Sequence, residues 1–361
     1  MSMKKGLPSK KGKNMKKLIS VILICALLLT LAACASSSGD DKFYKESDPI
    51  QVVDAAGRKV SSSAPIMTVA TSWGGGVDAY IHALGVSDRL VATNSKHNLD
   101  RKFFNPDEMN KVGRWSLDKE ALANISPELF LHGAYATEQI SGANKVNVRA
   151  YGMGFNSFED IEKNLKDLGA LFGVEERADY LISYCNRILE LVDMRVSQIP
   201  EDKRPTVVVL GDKTGELASD IYDTIEEMTT RAGGISCTPE DLSKKTETTV
   251  VGLETIFKWN PDFVFLKDYY CELTVDGIMK DATWAPMTAV KNGNVYALPC
   301  EFDGWSTANP SCYMGVLYMS MQMYPDLYED IDIESIAVEF YREVYGLDMT
   351  VEELGFTNGA Q

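Results

Sequence analysis

Between residues 174 and 199 apolar side chains recur at intervals of three and four: Ala178, Leu181, Ile182, Cys185, Ile188, Leu189, Val192, Val196 and Ile199. That period puts them along one face of a helix. Glu175 and Glu176 suit the positive end of its dipole, Gly173 separates it from the helix before, and Pro200 helps to end it. At roughly 1.5 Å per residue the rod is about 35 Å long, enough to cross a whole lobe. On both sides the pattern changes to short apolar runs alternating with amphipathic stretches, the mark of α/β units. The pattern therefore predicts a strut helix between two α/β lobes, against the plainer reading of one long surface helix in a single large domain.

Before the strut, residues 50–60 alternate like a small hairpin with Ala56-Gly57 near its turn. Strands are expected at 66–70, 90–93, 129–132 and 148–153, and helices at 77–84, 117–125 and 158–172. After it, strands are expected at 206–210, 263–266 and 295–298, helices at 221–231, 253–259 and 314–323, a turn at 291–294, and a mostly helical tail to Gly355. One feature recurs across the strut. Glu120 is followed at seven residues by Pro127, then Glu128 and an apolar run (EALANISPELFLH). Glu254 is followed at seven by Pro261, then Asp262 and another (ETIFKWNPDFVFL). In each, proline disfavours continuation of a helix and the chain turns into a core strand.

The N-terminus changes the picture of compartment. Seven lysines up to Lys17 precede an unbroken apolar and small-residue run, Leu18 to Ala33. At 16 residues it is short for a span of about 20 and suits a signal-peptide core. Leu31-Ala32-Ala33-Cys34 resembles the lipobox of bacterial lipoproteins. That resemblance implies cleavage before Cys34 and its diacylation, which anchors stably; translation from Met15 would suit the same signal. The expected segments are 1–33 signal peptide, 34–49 flexible tether, 50–173 N-terminal lobe, 174–199 linking helix, and 200–361 C-terminal lobe with helical tail. The tether is polar and low in complexity, and no other stretch is apolar enough to span a bilayer.

Removing residues 1–33 leaves 29 Lys and Arg against 52 Asp and Glu, a net charge near −23. Such a surface argues against nucleic acid as a partner. The cysteines show no CxxC and no zinc-type Cys/His spacing, so no structural metal is expected. Cys185 falls on the strut's apolar face, while Cys237, Cys271, Cys300 and Cys312 leave disulfide pairing open.

Taken with LGVSDRLVAT (84–93), KVGRWSLDKEALANISPELFL (111–131), LGALFGVEERA (168–178), WAPMTAVKNGNVYALP (284–299) and YMGVLYMSMQMYPDLY (313–328), these features resemble the substrate-binding proteins of iron-complex and cobalamin ABC importers. The likeness runs from about Ile50 to Tyr328 and lies in the order and spacing of the pieces rather than in any one of them. It implies two Rossmann-like α/β lobes joined by one helix, monomeric, with no enzymatic activity and no resident cofactor. It also implies that Glu120 and Glu254 dock with arginines of a membrane permease dimer. A single stiff helix predicts little lobe movement.

A ligand between the lobes would meet the C-terminal ends of the strands. By position the candidates are Thr71, Ser72, Trp73 and Gly74 after the first strand, Arg114 and Trp115 before the Glu120 helix, and His132 and Tyr135. In the second half they are Tyr222, Asp268, Tyr269, Tyr270 and Trp305. The glycines could offer backbone N–H groups to an anionic group, and the aromatic rings offer area at little rotamer cost. The expected solute is a metal chelate, a ferric siderophore or haem, with cobalamin as the alternative. A receptor for free zinc or manganese is a further alternative; it needs three or four converging ligands, for which His97, His132 and Asp268 are conceivable although three histidines are few. GxSxG, Walker and HExxH motifs are absent from the sequence.

Overall fold

The computed structural model describes residues 49–72, 76–95, 97–113, 116–211, 217–219, 224–238, 249–267, 272–300 and 302–355. The expected signal peptide, tether and Cys34 lie outside them. The hairpin forms as β1 (Ile50–Val53) and β2 (Lys59–Ser62). Its turn uses Gly57 at φ +77°, a left-handed conformation that glycine enters without steric cost. Asp54 fastens the turn, accepting from Arg58 Nε at 2.7 Å and from the backbone N–H of Gly152 at 3.0 Å.

There follow β3 (Val69–Thr71), α1 (Asp78–Ala83), β4 (Leu90–Ala92), α2 (Lys119–Ile125), β5 (Leu129–Gly133), α3 (Thr137–Lys145), β6 (Arg149–Met153) and α4 (Phe158–Phe172). β3 to β6 make a parallel sheet in the order β4-β3-β5-β6. Every residue of β3 and β5 is buried, as a parallel sheet covered on both faces requires.

α5 (Glu175–Val196) is the strut, and it buries eight of the nine expected apolar positions together with Tyr184. It packs on α4, where Gly169 leaves room that a Cβ would take from Ala178. Ile199 lies past its end.

Beyond it come β7 (Thr206–Leu210), β8 (Leu217–Ser219), α6 (Thr224–Arg231), β9 (Ile235–Ser236), β10 (Thr249–Val250), α7 (Leu253–Trp259), β11 (Phe263–Leu266), α8 (Val275–Lys280), α9 (Thr288–Asn292), β12 (Val295–Ala297), α10 (Cys312–Met323) and α11 (Ile333–Tyr345). The second parallel sheet runs β12-β11-β7-β9, separate from the first. The expected turn at 291–294 is instead the end of α9, closed by Gly293 at φ +76°. The sequence pattern did not foresee α3 or α8. α3 has its few buried residues among polar ones, and α8 spans only six residues. Cys185, Cys237 and Cys312 form no disulfide, and Cys271 lies outside the described residues.

The tail does not stay with the second sheet. α11 packs against α1, and Arg177 on the strut donates to Ala83 O at 2.8 Å and to Glu343 O and Val344 O at 2.9 and 2.6 Å. Lys102 pairs with Glu353 at 2.9 Å.

The Glu–Pro–acid repeat has one physical form in both halves. α2 and α7 each end on a left-handed residue, Ser126 (φ 50°) and Asn260 (φ 45°), before a buried proline. The acid after the proline then ties its strand to the neighbouring one. Glu128 accepts from Met67 N at 2.6 Å and its own N–H reaches Thr68 Oγ1 at 3.0 Å. Asp262 accepts from Thr206 N at 2.9 Å and Thr206 Oγ1 at 2.7 Å. Asp262→Ala removes two hydrogen bonds to a carboxylate, so it is expected to cost about 2 kcal/mol in urea denaturation. Glu128→Ala, which loses one exposed bond, is expected to cost less.

Candidate functional site

Parallel strands all point the same way, so β3 and β5 end side by side. Thr71 and Leu131 are register partners, and Ser72 and His132 are the next residues along. Thr71 is fully buried. Its hydroxyl donates to Asp78 Oδ1 at 2.6 Å, and Asp78 Oδ2 takes Thr93 Oγ1 at 2.5 Å. The Thr71 side chain thus serves the polar core around Asp78.

Ser72 and His132 differ. They are 1% and 3% exposed, yet Ser72 Oγ and His132 Nδ1 have no hydrogen-bond partner among the described residues. Buried polar atoms are nearly always paired, so each orphan asks for a partner from outside. Burial pushes the His132 pKa down to about 4, with the Gly133 backbone opposing it. The ring is thus neutral at pH 7 and can accept, donate or coordinate. Tyr135 meets it edge to face at 5.6 Å and is half exposed, lying over Gly133, where a Cβ would collide with its ring. A small residue at 133 is what lets the tyrosine fold back beside the histidine.

In the second half Trp305 is also buried. It is 2% exposed, its Nε1–H donates to Tyr341 Oη at 3.0 Å, and its ring packs edge-on to Tyr318. It anchors α11. Trp73, Gly74, Arg114, Trp115, Tyr222, Asp268, Tyr269 and Tyr270 lie outside the described residues. Glu120 and Glu254 stand exposed in the first turns of α2 and α7, and Glu254 pairs with Lys258 at 3.0 Å in the open.

Sequence reasoning missed a second polar group, where the halves meet. Tyr80 on α1 donates to Ala308 O at 3.0 Å, and Asn164 on α4 donates to Gly154 O at 2.7 Å. Thr224 donates to Phe155 O at 2.5 Å, and Glu227 accepts from Phe158 N at 2.9 Å. Tyr313 is buried against Phe158 with its hydroxyl unpartnered. Its apolar surroundings in the sequence gave no sign of a polar role.

Three comparisons bear on this arrangement. A family model described as periplasmic binding protein matches residues 69–301. The molybdate-binding protein MolA of Haemophilus influenzae is 22% identical over 66% of this chain and 72% of its own. Its molybdate-bound structure has a TM-score of 0.71 over 83% of this chain and 99% of that one. An uncharacterised ABC transporter substrate-binding lipoprotein of Bacillus subtilis, YvrC, is 20% identical over 86% of this chain and 98% of its own. The Helicobacter pylori CeuE nickel–histidine complex has a TM-score of 0.70 at 17% identity, covering 83% and 96%. At these identities the likeness to the solved structures is one of fold.

His132 is expected to titrate with a midpoint of about 4, read by NMR of histidine-labelled protein. Its folded pKa lies below the ordinary 6.5. The stability it contributes as a neutral ring is therefore present above that value and lost as the pH falls towards 4. The stability advantage of wild type over His132→Asn should shrink across that window in denaturation at stepped pH.

Proposed function

Since the chain belongs to the periplasmic binding protein family, we propose that it is the solute-binding component of an ABC import system, lipid-anchored through Cys34 on the outer face of the cell membrane. The observation that carries the solute site is the two buried, unpartnered atoms Ser72 Oγ and His132 Nδ1, each on the residue that follows a register-paired position of β3 and β5. A neutral imidazole needs no deprotonation before it meets a metal, and Tyr135 beside it offers a flat apolar wall. The solute is read as a metal-centred complex, a ferric siderophore or haem. Cobalamin is the alternative within the same chemistry.

Mature protein screened by native mass spectrometry and absorbance against haem, ferric siderophores and cobalamin is expected to retain one of them stoichiometrically. Molybdate and nickel–histidine are included because the relatives' names carry them. Ser72→Ala and His132→Ala should each weaken the retained complex by roughly tenfold or more, the scale of a lost polar contact in a buried site. Binding of none of the metal complexes, or affinities untouched by both substitutions, defeats this reading.

Glu120 and Glu254 are proposed to meet basic pockets of a permease dimer, one from each lobe. The equivalent local folds around them give two carboxylates in matching settings. Exposed pairs of this kind orient a complex more than they tighten it. Glu120→Arg with Glu254→Arg should abolish uptake in cells while solute affinity of the purified protein stays within about twofold. A double variant that transports normally removes the docking role.

A further inference from the structure

The loop from Phe302 to Ser311, between β12 and α10, is stitched to the first half of the chain. Leu99 N donates to Phe302 O at 3.1 Å, and Tyr80 Oη to Ala308 O at 3.0 Å. The tail holds the same loop from the other side, through Tyr341 on Trp305 and through Tyr345 Oη, 2.8 Å from Ser311 Oγ. Two carboxylates are buried in this seam. Asp303, in the loop, accepts from Ser311 Oγ and lies 3.4 Å from Tyr345 Oη. Asp100, from the first half, accepts from Ser95 Oγ and lies 2.9 Å from His82 Nε2.

The groups that face Asp303 come from every side of the seam. Asp100, with Asp78 and His82 behind it, belongs to the first half. Tyr345 and Tyr341 belong to the tail, Cys312 heads α10, and Cys185 on the strut stands near Tyr345. Among the described residues none of these is a lysine or arginine, and the one basic group is the His82 imidazole, which is bonded to Asp100 rather than to Asp303. Lys102 lies over the Phe302 ring at 6.0 Å, exposed and paired with Glu353. With only hydroxyls from Ser311 and Tyr345 against it, a negative charge on Asp303 is costly to bury near a second carboxylate.

We propose that this seam is a proton-held latch: a proton kept on the Asp303 side seats the 302–311 loop and the tail against the first half, and its loss sets two buried negative charges against each other and loosens the seam. Burial first, then Asp100, pushes the Asp303 pKa up to about 7. The same two causes push Asp78 up to about 6. Because the folded pKa of Asp303 is raised, its contribution is full below the ordinary carboxylate value. It is lost progressively as the pH climbs to about 7 and has gone above that. The latch is thus tight in acid and slack from neutrality upward. It depends on no particular solute.

Hydrogen–deuterium exchange of the mature protein at pH 5, 6, 7 and 8, corrected for intrinsic rates, tests it. Protection across 302–311 and 333–345 should fall at least tenfold in total and level off above pH 7, while the β11 strand keeps its protection. Asp303→Asn, which cannot ionise, should give a flat profile in the same segments. Unchanged protection in wild type, or an Asp303→Asn profile with the wild-type slope, overturns the proposal. If that variant does not fold, carbon-13 NMR of aspartate-labelled wild type decides: an Asp303 carboxyl titrating near neutrality upholds the latch, and one titrating in the ordinary carboxylate range ends it.

Discussion

Strands laid parallel in a sheet cannot be joined by tight turns, so every connection crosses a face of the sheet and every strand ends at the same edge. The rest of this protein depends on that constraint. In the first half it buries all of β3 and β5 and brings the residues after Thr71 and Leu131 out together. Ser72 and His132 are neighbours for that reason alone, although 59 intervening positions separate them in the chain.

The strut holds the two sheets in one chain, but it does not act alone. Its apolar face is covered by α4 and α10, and Arg177 ties three chain segments together through carbonyl oxygens. The tail and the 302–311 loop form a second connection, made of buried hydrogen bonds rather than a covalent link. A strut by itself predicts stiffness from one rod. Two crossings predict it more strongly, since bending one must also shear the other.

The polar interior is where this fold accepts a cost. Asp78, Asp100 and Asp303 are fully or nearly buried, and their partners are hydroxyls and an imidazole rather than guanidinium groups. Hydroxyls satisfy the oxygens but do not cancel charge. Replacing such acids with apolar residues would give a more forgiving core. Their presence ties the packing of the seam to the protonation of the protein.

Much of this was legible in the chain. The three-and-four spacing of 178–196 gave the strut, and continuous apolar runs such as TVVVL and FVFL gave strands, because burial demands the same residue types wherever the segment sits. The doubled Glu–Pro–acid spacing gave two helix–proline–strand units of one form, and the structure supplies its reason in the acid that ties each strand to its neighbour. What the sequence could not decide was direction. Thr71 and Ser72 are adjacent small hydroxyl residues, and only the pleat and the packing of α1 send one to Asp78 and leave the other without a partner. Nothing local in the sequence tells that Trp305 gives its N–H to Tyr341, 36 positions on. Local pattern fixes which face of an element is apolar. Which polar atoms find partners depends on segments distant in sequence, and that is settled only when the whole chain is packed.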